Sequence, residues 1–330
     1  MKTIAFRVVA LVVCLGLARA AAPVAAQEPI KLRFGKLGPN LGMARPHVAE
    51  QQGLFKKHGL DVQITQFRAS PELNTAVVSG AIDIAISGVT SVLTARQRNL
   101  PVKAFFVETV APFYFLLASP DVESMKDAVA KGAVAGVSGI GSLDYTITRY
   151  LFKRAGLDPD KIKYVQAGTP AQRTAALEAG RVQIALSAVP EKYEVLRRGK
   201  VREISRMSDY SKSFALEALW AKEDYLASNG EAVRRFLAAM DDTAMWIRTS
   251  PEAPAVLAKF VGLTHPQASA DVKEALREVH YPTVAEHKAR NDELLAGVEP
   301  LAEDALERGI LKADNARGLV HQIFDLRYVK

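Results

Sequence analysis

The sequence predicts an α/β protein built from two similar lobes, and two observations carry that prediction. Residues 175–189 repeat residues 75–89 without a gap, as AALEAGRVQIALSAV against TAVVSGAIDIAISGV. In each copy a helical run ends at glycine, apolar residues then alternate, and a serine follows the last of them, at Ser87 and at Ser187. The length agrees, because a mature chain of about 300 residues exceeds what one hydrophobic core usually serves.

Each copy belongs to a strand, helix, strand unit. Gly59-Leu60-Asp61 and Gly156-Leu157-Asp158 close one helix and lead into a strand. Ser70-Pro71 and Thr169-Pro170 then begin the next helix, with a hydroxyl at the N-cap and proline at the first helical position. Parallel strands joined by a helix form a right-handed crossover in an open sheet. Chance convergence of two unrelated units is the alternative, since apolar strands resemble one another.

The repeat also predicts where a ligand binds. Open α/β sheets bind ligands just beyond the carboxyl ends of their strands, so the loops that follow the two repeated strands should face each other across a cleft. The predicted wall residues are Ser87, Gly88 and Val89 on one side and Ser187, Ala188 and Val189 on the other.

The first 26 residues have the pattern of a secretory signal peptide. Basic residues precede an apolar run, and small residues ending at Ala26 follow it. The run is shorter than the roughly 20 residues that a membrane span needs. We expect cleavage after Ala26, with Ala20 as the alternative. Cys14, the single cysteine, lies in this peptide, so the mature chain has none for a disulfide, a thiolate nucleophile or a Cys-ligated metal.

Charge and motifs exclude several classes of function. The net charge of +7 falls to +4 when the three basic residues of the signal peptide are removed, and no basic block or stripe remains for nucleic acid. The six histidines form no metal-binding pair, and no phosphate loop or nucleophile elbow is present. We therefore expect no catalytic residue, metal or cofactor. A small anionic ligand is compatible with the charge.

Two helix starts suit an anion. The first follows a strand and the loop GPNLG and begins near Pro46, with Arg45 as the nearest fixed positive charge. A solvated Arg45 is the alternative. The second helix begins after Gly141 with Ser142 as N-cap, where glycine lets a ligand approach the backbone. A simple tight turn is the alternative there, and Asp144 in the first turn already offsets the helix dipole.

The domain order follows from where the strand pattern stops. From Glu231 the chain is almost entirely helical, and we expect most of these helices to cover the first lobe. Two crossings between lobes act as hinges, near Ala111-Pro112 and between Ser213 and Glu217. The predicted division is a signal peptide at 1–26, lobe 1 at 27–112 plus 215–330, and lobe 2 at 113–214.

Several segments resemble the nitrate, sulfonate and taurine class of ABC-transporter substrate-binding proteins. The matching segments are AEQQGLF at 49–55, GLDV at 59–62, AVVSGAIDIAIS at 76–87, GIGSLDY at 139–145 and the stretch 175–190. The resemblance covers most of the mature chain up to about Trp220. It implies a type II-like periplasmic-binding-protein fold whose lobes close on a small solute.

The resemblance also implies partners and contacts. We expect a periplasmic monomer that docks on an ABC permease driven by an ATPase. The ligand loops of the family fall on Pro39, Asn40 and Leu41, on Ser87 to Val89, on Gly141 and Ser142, and on Ser187 to Val189. The sequence departs from the family pattern at Val89, which lacks the usual polar side chain, and at Glu191, which follows Pro190 where the family commonly has Glu before the proline.

Other functions fit the same sequence. An enzyme of the thiamine-pyrimidine branch would share the scaffold, but that branch carries a cysteine-rich motif that the mature chain lacks. A periplasmic sensor subunit would have the same features as a transport subunit. The ligand stays open among sulfonates, aromatic carboxylates, nitrate-like anions and pyrimidines.

Overall fold

The computed structural model describes residues 28–68, 70–110, 113–211, 214–309 and 312–329. The predicted signal peptide lies outside these residues. The hinge predicted at Ala111-Pro112 also lies outside them, and the second predicted hinge is described only from Phe214 onward.

Ten strands lie within the described residues and form two five-stranded sheets. In chain order the strands are β1 Ile30–Lys36, β2 Leu60–Gln66, β3 Ile84–Gly88, β4 Val102–Val110, β5 Tyr114–Ala118, β6 Val134–Val137, β7 Lys163–Gln166, β8 Ile184–Ala188, β9 Arg202–Arg206 and β10 Ala215–Lys222. The first sheet has the order β2-β1-β3-β10-β4, and the second has the order β7-β6-β8-β5-β9.

The two sheets have the same construction. In each, the first three strands of the order are parallel, and one strand, β10 or β5, runs against both of its neighbours. The repeated strands β3 and β8 take the same central place. Every residue of β3 is buried, as expected for a strand covered on both faces. The prediction of an α/β fold with two similar lobes is therefore confirmed, although both sheets are mixed.

The helices within the described residues connect and cover the sheets. They are α1 Ala44–Gln51, α2 Leu54–Lys57, α3 Ser70–Val78, α4 Val89–Gln97, α5 Met125–Ala130, α6 Leu143–Arg154, α7 Pro170–Glu178, α8 Glu191–Arg197, α9 Glu223–Ser228, α10 Gly230–Thr249, α11 Ala253–Phe260, α12 Ala268–Ala275, α13 Val284–Ala296, α14 Glu299–Glu307 and α15 Ala316–Ile323. Among these described helices, none combines the length and the apolar character that crossing a bilayer requires.

The chain leaves the first sheet after β4, builds the second with β5 to β9, and returns as β10. We use lobe 1 for the first sheet with α1–α4 and α9–α15, and lobe 2 for the second sheet with α5–α8. Of the C-terminal helices, α10 packs on α1 and α2, while α13 and α15 pack on β4. Helix α14 contacts both lobes, through α4 and α6.

An aromatic stack anchors the longest helix to lobe 1. The ring of Phe236 on α10 lies 5.2 Å from that of Phe34 on β1 and 5.5 Å from that of Phe55 on α2. Both Phe34 and Phe236 have no exposed surface. The stack therefore joins the first strand of the described chain to a helix that is formed two hundred residues later.

We expect Phe236→Ala to lower the free energy of unfolding by about 3–5 kcal/mol, because it removes a buried ring and leaves a cavity. Met245→Ala is the control on the same helix, since Met245 is 50% exposed and its loss should change the free energy by at most about 0.5 kcal/mol. Urea denaturation followed by circular dichroism measures both. Equal losses in the two variants would contradict this account of the core.

Candidate functional site

The two lobes contact each other where β3, the repeated strand of lobe 1, ends. A Cβ atom built on Gly88, the last residue of β3, would lie 3.3 Å from Cδ2 of Leu143, the first residue of α6 in lobe 2. The predicted loop around Ser87 to Val89 therefore lies next to the predicted helix start at Gly141 and Ser142. The structure brings these two predicted wall segments together.

Ser87 is engaged inside lobe 1. Ser87 has no exposed surface, and its hydroxyl accepts a hydrogen bond of 2.9 Å from Nε1 of Trp220 on β10. Val89 is likewise buried. Ser187, which is the counterpart of Ser87 in lobe 2, is 9% exposed and lies opposite Phe115 in the sheet. The two hydroxyls that the repeat aligns therefore differ, because only Ser87 is held by an indole.

Arg45 does not face the cleft. Its Nε and Nη2 atoms donate hydrogen bonds of 2.6 Å to the two carboxylate oxygens of Glu108, and Nη1 donates to the carbonyl of Pro282 at 2.8 Å. Both side chains have no exposed surface, and the guanidinium lies over the rings of Phe106 and Tyr281. This corrects the prediction that Arg45 counters the charge of a ligand. Arg45 is instead paired with Glu108 in the interior of lobe 1.

The buried surroundings of this pair also affect the pKa of Glu108. Burial raises the pKa of Glu108, and the Arg45 guanidinium opposes that rise. A buried ion pair with bidentate geometry tolerates loss of neither partner, since the other would remain charged without compensation.

The first predicted ligand loop is held by its own hydrogen bonds. Oδ1 of Asn40 accepts from the backbone N–H of Met43 at 3.1 Å and caps a short 3-10 helix at Leu41–Met43. The carbonyl of Leu41 accepts from the hydroxyl of Tyr281 at 2.5 Å. Pro39 is exposed, whereas Leu41 is buried. The loop therefore presents main-chain groups and Pro39, rather than the Asn40 amide oxygen, to the solvent.

The helix start in lobe 2 already carries an anion. Ser142 caps α6 as predicted, with its hydroxyl accepting from the N–H of Tyr145. Oδ2 of Asp144 accepts from the N–H of Ser138 at 2.7 Å, and Oδ1 lies 2.7 Å from the Ser142 hydroxyl. The carboxylate of Asp144 thus occupies the place that the sequence offered to a ligand anion, as its position in the first turn suggested.

A second buried arginine stands beside Asp144. Arg173 on α7 is 6% exposed, and its Nη1 donates to Oγ of Ser138 at 2.8 Å and to the carbonyl of Gly168 at 2.9 Å. Its Nε lies 3.5 Å from Oδ2 of Asp144. Sequence reasoning missed this residue, although it follows the predicted N-cap Thr169 by one helical turn.

Glu217, Glu191 and the phenol of Tyr114 lie outside the ligand contacts that were predicted from the sequence. Glu217 on β10 is 1% exposed, and among the described residues its Oε2 has no hydrogen-bond partner. Burial, aided by the charge of Glu108, raises the pKa of Glu217 to about 8. Burial also raises the pKa of Glu191, at the start of α8, to about 7. A signal for Glu217 was available, since it is the one acid in the apolar strand ALEALW.

Tyr114 is linked to these groups through their charges. It begins β5 in lobe 2 and pairs with Ala188. Burial raises the pKa of its hydroxyl well above the usual value, and the charges of Glu217, Asp144 and Glu191 add to the rise. The charge of Arg173 opposes the rise. Glu217 belongs to lobe 1, so its charge acts on a residue of lobe 2.

Comparison with known proteins fits this two-lobe geometry. A family model described as NMT1/THI5 like matches residues 42–254, more than half of the chain. The chain belongs to the NMT1/THI5-like family. A relative in this comparison is the formylaminopyrimidine-binding protein of Halalkalibacterium halodurans, 28% identical over 221 residues, which are 65% of each chain. The chain thus spans just under two thirds of that relative's length.

Solved structures show the same fold. The periplasmic aliphatic sulphonate binding protein SsuA from Escherichia coli matches with a TM-score of 0.70 at 20% identity, over 89% of this chain and 97% of that one. The periplasmic nitrate-binding protein NrtA from Synechocystis PCC 6803 matches with a TM-score of 0.71 at 14% identity, over 91% and 87%. The predicted resemblance and periplasmic-binding-protein fold are confirmed.

We expect Arg45→Ala to lower the free energy of unfolding by about 3–5 kcal/mol, because it leaves Glu108 buried without its partner. The double variant Arg45→Met with Glu108→Met should recover most of that loss, since apolar side chains of similar volume often replace a buried pair without cost. Urea denaturation measures both. A full loss in the double variant, or an unchanged Arg45→Ala protein, would contradict the internal role of Arg45.

Proposed function

We propose that this protein is the solute-binding subunit of an ABC importer. It captures a small organic solute in the periplasm by closing its two lobes, and it delivers that solute to a membrane permease driven by a cytoplasmic ATPase. One observation carries the proposal: the end of β3 in lobe 1 lies against the start of α6 in lobe 2, where a Cβ atom built on Gly88 would lie 3.3 Å from Cδ2 of Leu143.

Ion pairs between the lobes support closure as the working step. Arg197 on α8 of lobe 2 binds both carboxylate oxygens of Asp271 on α12 of lobe 1, at 3.0 and 2.5 Å. Asp304 on α14 lies 3.7 Å from Nε of Arg149 and 3.5 Å from the hydroxyl of Thr146, both on α6. We assign these contacts to the closed state, so that a solute with a higher affinity for that state would favour them.

The proposed contacts combine loops and side chains. The loops are Pro39 to Leu41, Ser87 to Val89, Gly141-Ser142 and Ser187 to Val189. The Asn40 and Ser87 side chains are already hydrogen-bonded within lobe 1, so we assign those two loops main-chain contacts with the solute. The acids on both walls supply the side-chain contacts.

The similar proteins are named for ligands of two chemical classes. SsuA and NrtA are named for sulphonate and nitrate, which agree with the anionic solute that the sequence suggested. The formylaminopyrimidine-binding protein is named for a heterocycle. The internal pairing of Arg45 removes the main support for an anion. A sensor subunit would bind its solute in the same way, and uptake measurements in cells distinguish it from an importer.

We expect a solute identified by thermal shift to reduce the radius of gyration of the mature protein and to be recovered unchanged. A solute at a hundred times its Kd adds roughly 2.7 kcal/mol to the free energy of unfolding, which a thermal shift detects. Small-angle scattering with and without that solute measures closure. Deletion of the gene should abolish uptake of the same solute.

The paired variant Asp271→Asn with Asp304→Asn gives a specific control on closure. The double variant removes two carboxylates that pair with arginines of the other lobe, so it should enlarge the radius of gyration measured without solute. Asp127→Asn is the control, because the partner of Asp127 is Lys131 in the same lobe, and it should leave the radius of gyration unchanged. Chemical conversion of the solute, or binding with an unchanged radius of gyration, would refute the proposed clamp.

A further inference from the structure

We infer that His287 makes the attachment of α13 to β4 sensitive to acid. The neutral imidazole holds the backbone N–H of Val107, and uptake of a proton by the ring releases that N–H and loosens α13 on the edge of lobe 1. β4 ends at Val110, and β5 of lobe 2 begins at Tyr114, so the device acts on the strand that leads to the first crossing between the lobes. It requires neither a solute nor closure, and it therefore goes beyond the proposed function.

β4 is an edge strand that other parts of the chain cover. It is the last strand in the order of its sheet, and it pairs with β10 on one side. On an edge strand the backbone groups of the other side need partners from outside the sheet. At the end of β4, Val110 exchanges two backbone hydrogen bonds with His280. Within β4, the N–H of Val107 donates to Nε2 of His287 on α13 at 2.8 Å.

This hydrogen bond requires a neutral imidazole. Nε2 accepts through its lone pair, so the ring proton of His287 lies on Nδ1. A protonated imidazole carries N–H donors at both nitrogens and has no acceptor left. The N–H of Val107 and the protonated Nε2 would then face each other as two donors. Protonation therefore breaks the hydrogen bond.

The surroundings of His287 make that loss costly. His287 has no exposed surface, and its ring centroid lies 4.4 Å from that of Phe106, which precedes Val107 in β4. A buried donor that loses its acceptor costs free energy, and an unpaired buried charge costs more. Movement of α13 away from β4 admits water to both groups and removes that cost. Local release of the helix is therefore the expected response to acid.

The charges around His287 oppose its protonation. Burial lowers the pKa of His287 to about 4, and the charge of Arg45 on α1 adds to the lowering, against smaller opposing effects of Asn291 and of the Val107 backbone. Arg45 itself is paired with Glu108 of β4. The other titratable groups at the start of α13 have contacts of their own, which are Asp241 on α10 with the N–H of Val284, Arg248 on α10 with Glu286, and His280 beside Glu286.

The direction of the effect follows from this lowered pKa. Because the pKa of His287 in the folded protein lies below the ordinary value of 6.5, the unfolded or released segment takes up a proton first as the pH falls. The stabilisation by neutral His287 is therefore fully present above about pH 6.5 and is lost as the pH falls towards about 4. Acid weakens the attachment of α13.

Urea denaturation of the mature chain at two pH values tests the inference. His287→Gln keeps a side-chain oxygen that can accept from Val107, and it removes the titration. Between about pH 7.5 and about pH 4.5, the unfolding equilibrium constant of the wild-type protein should rise roughly 50- to 100-fold more than that of His287→Gln. Equal rises in the two proteins overturn the inference.

A matched control assigns the difference to this histidine. Other groups also titrate over the same range, among them Glu191, whose pKa burial raises to about 7. They are present in both proteins, so they do not contribute to the difference. His321 on α15 is exposed, and His321→Gln should keep the pH dependence of the wild-type protein. If His321→Gln loses that dependence to the same extent as His287→Gln, the assignment to His287 is wrong.

Amide hydrogen exchange shows whether the release is local, and it needs no variant. After correction for the intrinsic exchange rate, the protection of the Val107 N–H should fall at least tenfold between about pH 7.5 and about pH 4.5. The N–H groups of β10, in the interior of the same sheet, should lose less protection than Val107. Constant protection of Val107, or a loss that β10 shares equally, overturns the inference even if His287→Gln does not fold.

These outcomes are separate from those that test the clamp. Both measurements use the mature protein without a solute. If α13 responds to acid and no solute compacts the protein, the clamp fails and this inference stands. If a solute compacts the protein and the protection of Val107 is independent of pH, the clamp stands and this inference fails.

Discussion

The geometry of the cleft in lobe 1 depends on the buried pair of Arg45 and Glu108. It ties α1 to β4, and through the carbonyl of Pro282 it ties both to the segment that precedes α13. The short 3-10 helix at Leu41–Met43 comes directly before α1, so its position follows from that pair. Gly42 in that helix is the surface against which Glu217 lies. An interaction outside the cleft thus sets where an acid of the cleft can stand.

Burial raises the pKa of both Glu108 and Glu217. At Glu108 a guanidinium held in a bidentate arrangement opposes that rise. Glu217, one strand away, has no such partner, and the charge of Glu108 raises its pKa further. The two glutamates therefore differ in one respect, because only Glu108 has an arginine that opposes the effect of burial on its pKa.

The fold could be read from the sequence because its signals are local. The repeat of residues 75–89 at 175–189, the glycine stops and the N-cap hydroxyl of Thr169 each act within one strand, helix, strand unit, and the structure reproduces that unit twice. The antiparallel strand in each sheet was harder to predict, because β10 reaches its place from a distant part of the chain. Pairing of that kind leaves no pattern in the residues nearby.

The site was read less well for the same reason. Loop positions such as Gly88 and Ser142 follow from strand ends and helix starts, and the structure brings those two segments together. The role of Arg45 depends on Glu108, which is 63 residues away in sequence. Nothing around Arg45 distinguishes an arginine that awaits a ligand from one that has a partner inside. The charge that remains in the cleft therefore depends on pairs of residues that are far apart in sequence.

The place of β10 in its sheet has a consequence for how the chain folds. It lies between β3 and β4, yet it is the last strand of the described chain to be made. Until residues 215–222 are made, the strand between β3 and β4 is missing and the facing edges of these two strands are unpaired, whereas the strands of lobe 2 are continuous in sequence. The sheet of lobe 1 is therefore completed last, after all the strands of lobe 2 have been made.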